Sequence, residues 1–187
     1  MPGLRLAEAS MPRLFTALEI PPMVGQQLSF LRGGLSGARW IDPENYHVTL
    51  RFIGDVDDAT ARDVMDMLGA VRRPSFEMAL DGLDQFGGRK PRSLFAAVRS
   101  SLALQDLHGE VERRLQRLGL EAEGRNFRPH VTLARLRDAS ARQVADYLAL
   151  RSPYRSTAFA VPRFVLFSSR DSVGGGPYLV EAVYPLG

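Results

Sequence analysis

His47-Val48-Thr49-Leu50 returns letter for letter as His130-Val131-Thr132-Leu133, and the reading of this repeated stretch decides the fold. In an extended strand successive side chains point to opposite faces, so His47 and Thr49 share one face while Val48 and Leu50 share the other. His130 and Thr132 are paired in the same way. The chain contains only three histidines, and two of them stand here. One His-x-Thr on an apolar strand is ordinarily a sheet histidine, whereas two chemically matched copies point to a site. An imidazole beside a hydroxyl, presented twice, can hold one anion and move protons on both sides of it. An enzyme is expected.

The flanks of the two copies agree. Pro43-Glu44-Asn45-Tyr46 leads into the first and Asn126-Phe127-Arg128-Pro129 into the second, each a turn-forming approach to an apolar strand. From position 47 to position 130 the offset is 83 residues, which predicts two similar halves facing a shared cleft.

With 187 residues, 45% hydrophobic and 24% charged, the chain reads as globular and long enough to bury a substantial core. It has no cysteine, which excludes disulfides and thiolate metal sites and fits a reducing compartment. No run of about 18 apolar residues reads as a membrane span, and no hydrophobic signal core opens the chain, so the expected location is the cytoplasm. Lys90 is the only lysine, so the net charge of +3 is carried almost wholly by arginine. Arginine's planar fork suits phosphate and stacks on bases, which makes RNA a plausible partner, although most of these arginines are scattered.

Residues 1–11 read as a loose tail ahead of one bilobal domain, 12–187. Arg13 to Ile20 reads as a buried strand stopped by Pro21-Pro22, and Val24 to Leu31 as a helix ended by Gly33-Gly34. The first motif strand, His47 to Ile53, closes at Gly54, and Asp57 is placed to cap a helix running to about Val71. Phe76, Met78 and Leu80 alternate with polar or small residues, and this strand is expected to pair with Ser93 to Val98 around a basic turn, Gly87-Gly88-Arg89-Lys90. Leu104, Leu107, Val111, Leu115 and Leu118 mark the clearest helix, and His108 on it reads as structural. After the second motif strand, His130 to Leu136, a helix is expected from about Ala139 to Leu150. Strands at Ser156–Ala160, Arg163–Ser168 and Tyr178–Tyr184 would close the chain. Helices and strands mix without strict alternation, which predicts α+β with antiparallel sheets.

Several chemistries are excluded by their absent motifs: no Walker-type loop, no Gly-x-Gly-x-x-Gly and no His-Glu-x-x-His occurs. A zinc site would need ligands beyond two histidines, and no carboxylate stands at a suitable spacing. Metal-free acid and base catalysis, with no cofactor, remains.

At this point the sequence resembles the two-histidine (2H) phosphoesterases, and among them the bacterial and archaeal RNA 2',3'-cyclic phosphodiesterases once called 2'-5' RNA ligases. Beyond the doubled motif, Arg13-Leu14-Phe15-Thr16-Ala17-Leu18-Glu19-Ile20-Pro21 is similar to that family's opening strand. Trp40 ahead of the first motif, Phe52-Ile53-Gly54 after it, and Arg128-Pro129-His130-Val131-Thr132-Leu133-Ala134-Arg135 fit the same pattern. The resemblance implies two lobes related by a pseudo-twofold, each an antiparallel sheet flanked by helices, with a groove between them. It also implies hydrolysis of an RNA-terminal 2',3'-cyclic phosphate to a 2'-phosphate, with His47 as proton donor and His130 as proton acceptor.

Thr49 and Thr132 are expected to donate to the non-bridging oxygens, where charge builds during attack. Arg135 is carried over as a phosphate-binding residue, but strict alternation puts it on the face opposite His130, so it contributes only if the strand bulges. The same alternation puts Arg51 on the face of His47. Phe15, Trp40 and Tyr178 suit either core packing or stacking on a base. Three other functions fit the residues: hydrolysis of another small cyclic phosphate, such as an ADP-ribose cyclic phosphate or a cyclic nucleotide; reversible 2'-5' RNA ligation; and a non-catalytic RNA-binding module. A monomer is expected, since no surplus apolar stripe asks for a partner.

Overall fold

In the computed structural model residues 12–169 and 175–187 are described, so the tail expected at 1–11 lies outside the described residues. The first strand, β1 (Arg13–Glu19), buries five consecutive residues between exposed ends, and Pro22 opens α1 (Pro22–Ser29), where a missing N–H leaves no hydrogen bond unmade. β2 (Ala38–Trp40) and a single helical turn at Pro43–Asn45 lead into the motif strand β3 (His47–Asp55). α2 (Asp58–Leu68) begins where the Asp57 carboxylate accepts the Thr60 N–H at 2.7 Å, as the sequence predicted.

Three strands follow, β4 (Phe76–Met78), β5 (Leu80–Phe86) and β6 (Ser93–Val98), and then α3 (Leu102–Arg117). Ser101 caps α3, and the helix buries Leu104, Leu107, Val111 and Leu115, the predicted stripe. The second motif strand, β7 (His130–Leu136), precedes α4 (Ala141–Arg151), capped by Ser140, and β8 (Phe159–Val161), β9 (Arg163–Ser168) and β10 (Leu179–Pro185) complete the order.

All pairing is antiparallel. The main sheet runs β10-β9-β1-β3-β7-β6-β5, with β2 paired to the far end of β7, while β4 and β8 form a separate two-stranded sheet. Between β3 and β7 the only registered pair is Val48 with Val131, so the main sheet divides there into two lobes joined at a single bridge. α2 and α3 lie against one another, with α3 on β3, and α4 packs on β5. The segment after α1 reaches the second lobe, where the Tyr147 hydroxyl of α4 donates to the Leu31 carbonyl and the Trp40 ring of β2 lies 6.0 Å from Tyr147.

The offset of the two motifs extends well beyond them. Positions 47, 58, 76 and 80, which open β3, α2, β4 and β5, map by the same 83 residues onto 130, 141, 159 and 163, which open β7, α4, β8 and β9. The lobes are therefore two copies of one sequence of elements, and β4 and β8 pair with each other across the pseudo-twofold.

The motif strand runs through Gly54 to Asp55 and α2 stops at Leu68 rather than near Val71, and two strand assignments of the sequence reading are corrected. The partner of Ser93–Val98 is β5, not the Phe76 strand, because β4 pairs with β8 and the chain turns at Ala79 to start a new strand. The strand expected at Ser156–Ala160 begins at Phe159. Ser156 is instead held to Leu80, donating its N–H to the Leu80 carbonyl while its hydroxyl accepts the Leu80 N–H.

Candidate active site

The two motif strands share a fault in their pairing. Opposite β1, Thr16 pairs with Arg51 and Ala17 with Thr49, leaving Leu50 as an extra residue; opposite β6, Leu94 pairs with Ala134 and Phe95 with Thr132, leaving Leu133 as an extra residue. Each is a β-bulge, and a bulge reverses the alternation of faces beyond it. Exposure follows suit: from His47 to Phe52 and from His130 to Arg135 both strands run half-buried, buried, half-buried, buried, buried, exposed.

The bulges change which residues face the groove. Arg135 shares a face with His130 and Thr132, meeting the condition set for it by the sequence. Arg51 does not share a face with His47 and Thr49, contrary to strict alternation. It is 6% exposed, its Nε donates to Glu112 Oε2 at 2.6 Å, and its other nitrogens donate to the carbonyls of Phe52 and Glu121. Phe52 takes the place the sequence had given to Arg51, and it is 49% exposed. Only the offset between the copies could have revealed this, since 83 residues aligns Phe52 with Arg135.

Around the Val48–Val131 bridge, antiparallel register sets His47 beside Thr132 and Thr49 beside His130 on one face. Both imidazoles are held alike. His47 Nδ1 lies 2.8 Å from the Asn45 carbonyl and His130 Nδ1 lies 2.7 Å from the Arg128 carbonyl. A carbonyl can only accept, so each Nδ1 carries hydrogen and each Nε2 is the nitrogen that exchanges protons. A neutral ring in this tautomer accepts at Nε2, and a charged ring donates there.

Aromatic rings fix both imidazoles. His47 sits against Phe15 at 5.1 Å and meets Tyr178 edge-on at 5.1 Å, while His130 lies 4.9 Å from Phe86 and 5.0 Å from Phe95. The Tyr178 hydroxyl accepts the Gly175 N–H at 3.1 Å, which ties residues 175–178 together beside His47. Gly175 is required there: its φ is +91°, and a Cβ would come within 2.5 Å of Ile41. Phe15 and Tyr178 thus frame a histidine, and Trp40 packs on α4.

This enclosure disfavours the charged imidazole. Burial pushes His47 down to about 4, with His130 and Arg135 adding repulsion and only the Asn45 carbonyl opposing them. Burial also lowers His130, where Arg128 and Arg135 add to the effect. A bound anion would reverse much of this for either ring.

A cavity of about 260 Å³ opens beside His47, lined by Thr49, Arg135, Phe15, Phe52, Tyr178 and Arg13. His130 and Thr132 stand across the Val48–Val131 bridge from it rather than in its lining. His108, left out of the site by the sequence reading, lies on α3 with its ring stacked 3.8 Å from that of Phe127. Among the described residues no group of three or more His, Asp or Glu side chains converges as a metal-binding cluster.

Residues 26–172 match the family model of the 2'-5' RNA ligase superfamily. The chain belongs to this superfamily of 2H phosphoesterases. Within the superfamily it is 34% identical over 181 residues to the RNA 2',3'-cyclic phosphodiesterase of Geobacillus stearothermophilus, an alignment covering 92% of this chain and 56% of that protein. The chain thus spans little more than half the length of that relative. It is 30% identical over 157 residues to the enzyme of the same name from Aquifex aeolicus, covering 80% of this chain and 82% of the other. Among solved structures of 2H phosphoesterases, Escherichia coli LigT complexed with 3'-AMP superposes with a TM-score of 0.78 at 26% identity, covering 94% of this chain and 98% of LigT.

Proposed function

We propose that this chain is a metal-independent phosphodiesterase that opens the 2',3'-cyclic phosphate at an RNA end and leaves a 2'-phosphate. The observation that carries the reading is the matched hold on the two imidazoles. With each Nδ1 held by a backbone carbonyl, each Nε2 is left for proton exchange, on motif strands joined at the Val48–Val131 bridge, which supports a shared role for the rings with Thr49, Thr132 and Arg135. The names of the Geobacillus and Aquifex relatives support the choice of substrate.

In this mechanism neutral His130 accepts a proton at Nε2 from water as the water oxygen bonds to phosphorus. Charged His47 gives its Nε2 proton to the departing 3'-oxygen as the phosphorus to 3'-oxygen bond breaks. The assignment of acid and base follows the family resemblance, because the pseudo-twofold makes the two rings equivalent in kind. Thr49 and Thr132 donate to the non-bridging oxygens, and Arg135 neutralises the charge that develops there. An electrostatic donor already fixed in place needs no reorganisation at the moment of reaction. No step requires a metal, and the enzyme is proposed to work as a monomer in the cytoplasm. No helix among the described residues is long and apolar enough to cross a membrane.

The test is incubation in EDTA with RNA ending in a 2',3'-cyclic phosphate, beside RNA with a linear 3'-phosphate and beside cyclic mononucleotides. Conversion of the cyclic RNA end to a 2'-phosphate is expected, with no action on the linear end. Loss of activity in EDTA that Mn²⁺ or Zn²⁺ restores would overturn the metal-free mechanism. Turnover of the mononucleotides in preference to RNA would overturn the substrate.

A further inference from the structure

The cations near the groove are distributed unequally between two lobes that are otherwise copies of one another. In the first lobe Arg13 is neutralised by Asp55, with Nε 3.1 Å from Oδ1, and Arg163 by Glu19 at 2.8 Å. The position equivalent to Arg135 is there filled by Phe52. In the second lobe Arg39 of β2 pairs in register with Arg135 of β7, and Arg135 pairs in register with Ser93 of β6, so the three lie side by side across three strands.

The β5–β6 turn continues that row. Ser93 pairs with Phe86, the ring that packs on His130, and the Arg92 carbonyl accepts the Leu136 N–H at 2.8 Å, which fastens the turn to the end of β7. Arg89, Lys90 and Arg92 on this turn are exposed, and no described carboxylate lies within ion-pair distance of them or of Arg135. Elsewhere most cations meet an acid. Leaving Arg135, Arg92, Arg89 and Lys90 unneutralised costs self-repulsion, and a polyanion laid along these four would relieve it.

We infer that the RNA chain 5' of the reacting end leaves the groove beside Arg135 and crosses the second lobe, its phosphates passing Arg92, Arg89 and Lys90. The inference rests on the proposed function for its ligand, but the surface it assigns lies outside the catalytic group. Arginine and lysine on an exposed turn contact phosphate without reading bases, so the path carries affinity and not sequence preference.

The experiment compares two substrates ending in 2',3'-cyclic phosphate, a dinucleotide and an oligonucleotide of about ten nucleotides, within the usual footprint of single-strand-binding grooves. The variant is Arg89→Ser/Lys90→Ser/Arg92→Ser, with Arg117→Ser/Arg142→Ser as a control that removes exposed charge from α3 and α4. The turn variant should lose about tenfold in kcat/KM on the longer RNA, through KM, and keep its rate on the dinucleotide. The slope of log affinity against log salt, read by fluorescence anisotropy on the same ten-nucleotide sequence without a cyclic end, should fall by about 2. Anisotropy needs no turnover, so a protein that binds through the turn but hydrolyses neither substrate would count against the proposed reaction alone. Unchanged binding in the turn variant, equal losses on both substrates, or equal losses in the control would overturn the path.

Discussion

Phe52 and Arg135 occupy the same place in the two motif strands, five residues beyond His47 and His130, and the bulges at Leu50 and Leu133 turn both toward the groove. One strand therefore presents an apolar ring where the other presents a fixed cation, and this pair breaks the symmetry of an otherwise doubled site. The groove therefore has one cationic side, and the surroundings of the two histidines differ in charge.

The division of roles is tested with a phosphodiester whose leaving group departs without a proton, such as p-nitrophenolate. His47→Ala should recover much of its rate on that substrate, while His130→Ala stays slow on it and on cyclic RNA. Rescue in His130→Ala alone would reverse the assignment, and rescue in neither would remove the acid and base division.

Thr49→Ala and Thr132→Ala should each slow kcat by about 10²-fold, the usual cost of losing one donor to developing charge, with thermal unfolding unchanged. Arg135→Ala should lose at least as much in kcat/KM, and Arg135→Lys should recover only part of it, because an ammonium cannot reproduce the guanidinium fork. Wild-type rates in Arg135→Ala would exclude the bulge as the device that delivers a phosphate ligand.

Arg51 behaves as a structural residue in this account. Arg51→Leu takes the charged partner from the part-buried Glu112, which keeps its bonds from Gln116 and the Glu123 N–H, and should lower the free energy of unfolding by about 2 kcal/mol in a denaturant titration, with KM unaltered in the folded protein. A raised KM at undiminished stability would return Arg51 to the groove.

The pH dependence follows from burial. In the free protein both rings titrate below the ordinary histidine value, His47 at about 4 and the more deeply depressed of the two. The singly protonated form therefore carries its proton mainly on His130, and the form the mechanism uses, charged His47 with neutral His130, is its minor tautomer until a bound anion raises His47. The kcat/KM profile should peak on the acid side of pH 6.5, and kcat, which reports the complex, should peak higher because the bound anion favours imidazolium. A kcat/KM optimum above pH 7 would contradict this.

Stability carries the same signature. The unfolded chain protonates His47 near pH 6.5 and the native protein near 4, so the unfolded state binds more protons in between. The contribution of neutral His47 is present above pH 6.5 and lost as pH falls toward 4. His47→Gln should flatten the decline of Tm across that window, and an unchanged decline would show that the ring titrates normally.

Much of this protein was determined by its sequence alone. The doubled His-Val-Thr-Leu, the apolar strands that hold it and the 83-residue offset specify two like halves and four facing side chains, because period and repetition are properties of the chain itself. Helix starts at Asp57 and Ser101 are equally local, since a side-chain oxygen caps N–H groups only a few residues away. Which face Arg51, Phe52 and Arg135 occupy was decided only in the tertiary structure. A bulge arises when the partner strand offers one residue against two, and the residues of β1 and β6 that face the bulges, Ala17 opposite Thr49 and Phe95 opposite Thr132, lie far away along the chain. The pairing of β4 with β8 is of the same kind: each is three residues long and its partner belongs to the other lobe, so the pair exists only where the two lobes come together.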